Sequence, residues 1–150
     1  MKRSAAREVA IRLCYSAELA DLETSAFIAD FFAEDHYATL SAEDELFASR
    51  PDEVQLAYIN QLVSLVFEHK QELDSTIEQY AKGWSLKRIS KISLAILRCA
   101  LCEILYFEDV PEKVAINEAV NVAKKYEEPE TVSFINGVLG SFVRANQENA

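Results

Sequence analysis

Apolar residues recur along this chain at the three- and four-residue intervals of a helix, nearly from end to end. Ala6, Val9, Ala10, Leu13, Ala17 and Ala20 form one stripe and predict a first helix. Arg3 and Arg7 are one turn apart and are expected to project together from the edge of that stripe, with Arg12 pointing away. A second helix is expected over residues 24–33, with Phe27, Ile28, Phe31 and Phe32 as its apolar load. The next stretch, "EDHYATLSAEDELFASRPDE", is polar and acidic and reads as a loop with at most a short helical turn. Pro51 fits the first turn of a long helix, and Asp52 and Glu53 suit its positive end. Val54, Ala57, Tyr58, Leu62, Leu65, Val66, Leu73, Ile77 and Tyr80 continue the periodicity, with a break expected near Lys70 or Gln71.

"KGW" at 82–84 punctuates the pattern and divides an N-terminal lobe, 1–82, from a C-terminal lobe, 83–150, with no flexible linker between them. "SLKRISKISLAILRCALCEILYF" then gives a short turn and a helix over about residues 90–107. That helix is apolar round so much of its circumference that it is expected at the centre of the second lobe. Pro111 opens a helix whose inner stripe is Ala115, Ala119, Val122, Ala123 and Tyr126. A last helix carries Phe134, Ile135, Val138, Leu139, Phe142 and Val143, with Thr131 as its expected N-cap. The fold class is therefore all-α, in one domain of two lobes, and no repeat of fixed period is present.

Composition sharpens this picture in three ways. Three glycines and three prolines in 150 residues are too few for the turns of an all-β fold. No uncharged apolar run approaches the roughly 18 residues of a membrane span. "MKRSAAREVAIRL" lacks the apolar stretch and cleavage site of a secretory signal, so the three cysteines are expected as reduced thiols in the cytoplasm. The net charge of −10 argues against a general nucleic-acid binder, yet it is unevenly spread. Residues 1–12 carry +3, residues 13–81 carry −13 and residues 82–144 carry +1.

The residues of catalysis are missing. His36 and His69 have no neighbouring Ser or Cys to make a nucleophile–base pair. Three glycines cannot build a phosphate-cradling loop or a dinucleotide fingerprint. Cys99 and Cys102 have C-x-x-C spacing but lie mid-helix among apolar residues, without a second pair, and read as small buried hydrophobes. No enzyme activity, metal or cofactor is expected.

Binding chemistry is better represented. Arg3 and Arg7 share a face, and guanidinium groups pair with phosphate in a bidentate way. If four N-terminal basic residues each neutralised one phosphate of a single strand, the log–log salt slope would be only about −3. Modest RNA affinity follows, unless aromatic stacking or a more basic partner adds to it. Lys124, Lys125 and Tyr126 end a helix, where cations suit the negative pole, and Tyr126 reads as core rather than as a stacking platform. Asn117, Glu118 and Asn136 are expected to hydrogen-bond across the last two helices, with Gly137 and Gly140 allowing close approach.

"VPEKVAINEAVNVAKKY" followed by "SFINGVLGSFVR" closely resembles the signature of the NusB family of bacterial transcription antitermination factors. "AILRCALCEILYF" is similar to that family's I-L-R-x-A-x-x-E-L segment, and "SAAREVAIRLCY" to the start of its first helix. The resemblance implies an all-helical fold of two small bundles packed together, about seven helices in all. It also implies a heterodimer with the ribosomal protein NusE, binding to single-stranded boxA RNA, and action on RNA polymerase in an antitermination complex, notably in ribosomal RNA operons. A homodimer that covers the RNA surface is a further partnership known in the family. Carried over by position, the RNA contacts fall on Lys2, Arg3, Arg7 and Tyr15, then on Glu130, Ser133 and Phe134, with Lys124 close in sequence. Phe134 also lies on the apolar side of its helix, where packing competes.

This chain departs from the pattern at Ser4 and Ala5, where a full arginine-rich motif has further arginines. It also has Glu127 where glycine commonly follows the aromatic residue. These changes imply weaker intrinsic RNA affinity and stronger dependence on the partner. The alternative they leave is a protein-interaction module of the same fold that has lost most RNA binding.

Overall fold

The computed structural model describes residues 1–20, 45–47 and 49–148. The helix expected over 24–33 and most of the acidic loop lie outside them. Among the described residues there are six α-helices, two short 3-10 turns and no strand. In chain order these are α1 (Arg3–Ala20), a 3-10 turn (Glu45–Phe47), α2 (Glu53–Glu68), α3 (Lys70–Tyr80), a second 3-10 turn (Leu86–Arg88), α4 (Lys91–Tyr106), α5 (Glu112–Tyr126) and α6 (Pro129–Glu148).

The chain forms two compact units, Met1–Phe67 and Glu68–Ala150. The division falls before α3 rather than at 82–83, because α3 packs on α4 and α6 and so belongs to the second unit. In the first unit, the stripe Ala6, Val9, Ala10, Leu13 and Ala17 of α1 is fully buried. Ile11 and Cys14, off that stripe, are buried as well, so α1 is covered round most of its circumference. The first 3-10 turn packs against α1. The α2 helix begins at Glu53, two residues later than Pro51 suggested. Asp52 caps it, its Oδ1 accepting a 2.9 Å hydrogen bond from the Gln55 backbone N–H. The helical run breaks at His69, whose φ of −106° and ψ of 16° leave the helical region, close to the expected place.

In the second unit, α4 is the core. All eleven positions from Ser93 to Glu103 are buried, as its all-round apolar character requires. Its neighbours are α3, α5 and α6, and α5 and α6 also pack along each other. Side chains that tie the unit together include Tyr80 of α3, edge-on to Phe142 of α6 at 5.6 Å between ring centres. His69 stacks on Tyr106 at the end of α4, with ring centres 4.5 Å apart. Arg98 of α4 grips Asp74 of α3 with two hydrogen bonds, Nε to Oδ1 at 2.7 Å and Nη2 to Oδ2 at 3.0 Å. The helix α4 starts cleanly because Ser90 caps it, its Oγ accepting from the Ser93 N–H at 3.2 Å.

Candidate nucleic-acid interface

In the first unit the basic N-terminal turn is only partly open to a ligand. Lys2 is exposed, and Arg3 and Tyr15 are half-buried. Arg3 donates from Nε to Gln55 Oε1 at 2.8 Å, and its guanidinium carbon lies 4.1 Å from the centre of the Tyr58 ring. Arg7 reaches the same ring, at 5.8 Å. The expectation that Arg3 and Arg7 both project from the surface is corrected here, because Arg7 is only 4% exposed. Tyr58 draws both guanidiniums onto α2 through its ring face. Helical periodicity shows where a side chain leaves its own helix, and does not show that an aromatic ring from another helix will meet it.

In the second unit the candidates cluster where α5 turns into α6. Lys124 is exposed on the last turn of α5, and Glu130 and Ser133 are exposed on the first turns of α6. Phe134 is half-buried. Its ring lies against Trp84, with ring centres 5.2 Å apart and planes at 43°. Thr131 is not the N-cap. The α6 helix begins at Pro129, and the Glu128 carbonyl accepts from both the Thr131 and Val132 N–H groups. Tyr126, expected in the core, is 36% exposed and stands at the surface. Asn117 and Asn136 are exposed too, so they do not form a buried lock between α5 and α6. Gly137 is not needed for close approach either, since a Cβ there would meet nothing within 4 Å.

The sequence pattern did not single out Trp84 as a site residue. Lys82, at φ 23°, and Gly83, at φ 87°, are both left-handed and swing the chain out of α3. Trp84 follows, half exposed. It shares a cleft with Arg88, Ser90, Glu127, Glu130 and Phe134. Inside that cleft the Glu127 carboxylate is held at the start of α4, where Ser90 Oγ and Ser93 Oγ both donate to its Oε1, the latter at 2.9 Å. A carboxylate is well placed there, because the N-terminal pole of α4 favours negative charge. Glu127 is the residue that replaces the glycine of the resembled pattern, and it has a structural partner of its own. The signal that could have found Trp84 is an isolated large aromatic directly after a lysine–glycine turn.

Elsewhere the described residues offer little else for chemistry. Cys14, Cys99 and Cys102 are buried free thiols. No three His, Cys, Asp or Glu side chains among the described residues are grouped to hold a metal ion. No described helix is long and apolar enough to cross a membrane.

These features define an all-helical protein whose candidate polar and aromatic residues sit on turns and helix ends. Residues 4–144 match the model of the NusB family. The chain is 41% identical to the transcription antitermination protein NusB of Acetivibrio thermocellus, over 100% of its own length and 94% of that protein's. It is 36% identical to the NusB of Clostridium novyi, over 97% of this chain and 100% of that one. The chain belongs to the NusB family. Its fold is that of T. maritima NusB, with a TM-score of 0.78 at 23% identity over 96% of this chain and 92% of the other. It is also that of a chain in a crystal structure of antitermination factors NusB and NusE in complex with dsRNA. There the TM-score is 0.74 at 22% identity, over 95% of this chain and 96% of the other.

Proposed function

We propose that this protein is a transcription antitermination factor that binds boxA-type single-stranded RNA together with the ribosomal protein NusE and so supports ribosomal RNA transcription. The observation that carries this reading is the 41% identity, over the full chain, to a transcription antitermination protein. A fold shared with NusB in a structure that also holds NusE and RNA supports the choice of partners. The protein acts by binding and not by catalysis, in the cytoplasm where nascent RNA is made. Lys2, Arg3 and Tyr15 supply the contacts of the first unit. Lys124, Glu130, Ser133 and Phe134 supply those of the second. Arg7 acts behind them, holding the Tyr58 ring against which Arg3 is set.

The functional test is transcription through a terminator placed downstream of a boxA element, with the remaining antitermination factors supplied. Adding this protein should raise read-through, and deleting boxA from the template should remove the gain. Equal read-through on both templates would contradict the proposal.

A further inference from the structure

The segment 82–91 has a composition unlike the rest of this acidic chain. It holds Lys82, Lys87, Arg88 and Lys91, and no Asp or Glu occurs from residue 79 to residue 102. All four cations are exposed. None makes an ion pair or side-chain hydrogen bond among the described residues. Trp84, the only tryptophan of the chain, stands among them with half its surface in solvent. A half-exposed indole ring is unfavourable in water by the apolar area it shows. Four unpaired cations within ten residues repel one another. A polyanion carrying flat aromatic groups would relieve both at once.

We infer that this segment is a second single-stranded RNA contact, with Trp84 as the platform for one base and Lys87, Arg88 and Lys91 as phosphate ligands. The inference rests on the RNA-binding reading above and extends its path from Phe134, whose ring already lies against Trp84. Arg88 and Glu130 are both exposed and both line the cleft with Trp84 and Phe134. Phosphate favours the cations of the turn and is repelled by the Glu130 carboxylate, so the sugar–phosphate backbone follows the cationic turn while the base takes the Trp84 ring. Glu127 keeps its charge, but the Ser90 and Ser93 hydroxyls fix its carboxylate at the start of α4, where the positive pole of that helix offsets part of it.

A single tryptophan makes the test direct. Labelled single-stranded boxA RNA is titrated into the protein premixed with NusE, and RNA anisotropy and tryptophan emission are recorded together over a salt series. Stacking quenches Trp84 emission with the same midpoint as the anisotropy. In the double variant Lys87→Gln, Arg88→Gln the log–log salt slope falls by about 1.4, at roughly 0.7 per phosphate contact. Trp84→Ala weakens binding about five-fold or more, the low end of base stacking on an aromatic ring, while Trp84→Phe keeps most of the affinity. Both charge substitutions are on exposed side chains, so the thermal melt of the double variant stays that of the parent.

Anisotropy that rises with unchanged tryptophan emission and an unchanged slope in the double variant would overturn this site and leave the RNA-binding reading standing. Variants that lose NusE pairing while keeping RNA binding would overturn it too, and assign the segment to a protein contact. If the parent complex shows no anisotropy change, the functional reading fails and this site fails with it.

Discussion

Arg98 is a cation, 5% exposed, in the middle of α4, the most deeply buried helix among the described residues. An ion there persists only when it is paired, and Asp74 supplies two charge-assisted hydrogen bonds in the fork geometry that guanidinium and carboxylate share. The pair ties α3 to α4, so it fixes an element that belongs to the second unit and not to the first. Removing the acid leaves the cation short of its partner in an apolar setting. Asp74→Ala is therefore expected to lower stability by about 2–3 kcal/mol in urea unfolding. Replacing both residues with apolar ones of similar size should recover part of that loss. A loss below about 0.5 kcal/mol would mean that the pair behaves as a surface salt bridge.

The N-terminal arginines show a second contrast between single residues. Lys2 is exposed and Arg7 is buried, although both belong to the same basic N-terminal segment. Lys2→Glu should weaken RNA binding and leave the melting temperature unchanged. Arg7→Glu should do the reverse first, costing about 3 kcal/mol or more of stability, because it reverses a charge in a buried setting. Thermal melts of the two single variants separate these outcomes. Equal melts would mean that Arg7 is at the surface after all.

At the scale of the element, the last two helices explain how far a sequence reading reaches. The inner stripe of α5 lies where periodicity puts it, at Ala115, Ala119, Val122 and Ala123. The apolar circumference of α4 likewise foretold a central helix, because a side chain's direction on its own helix is fixed by 3.6-residue geometry. Tyr126, Asn117, Asn136 and Gly137 went the other way, to the surface. Asn117 and Gly137 lie on the faces opposite their stripes and Asn136 at a stripe's edge, while Tyr126 is on the stripe but is the last residue of α5, where burial depends on the neighbouring element rather than on the helix itself. Arg7 and Trp84 fail to show in the sequence for the same reason. Tyr58 sits 51 residues from Arg7, and Phe134 sits 50 residues from Trp84.

Gly137 then becomes a test of purpose. It is exposed, inside a helix, and has open space where a Cβ would stand. Gly137→Ala should stabilise the free protein by roughly 0.5–1 kcal/mol, the ordinary helix-propensity gain. If the same variant pairs less well with NusE, the glycine serves a partner's close approach and not the fold. If stability falls, the helix is using the glycine in a way that its geometry does not show.

Over the whole molecule, charge decides how the protein must work. The chain carries −10, and eight of its fifteen Lys and Arg are gathered in residues 1–12 and 82–91. A few phosphate contacts on a molecule of that charge give a shallow salt dependence and a modest affinity. Sequence-selective binding at physiological salt then needs a second protein that brings more positive charge. In the proposed function, RNA recognition therefore belongs to the pair. The most direct measurement is the anisotropy of a labelled boxA RNA, and of its scrambled counterpart, titrated with this protein alone, with NusE alone and with both. Tight binding of boxA by the mixture, weak binding by each protein alone, and loss of binding on scrambling are the predicted results. Binding by this protein alone as tight as by the mixture, or equal binding of the scrambled RNA, would contradict the account.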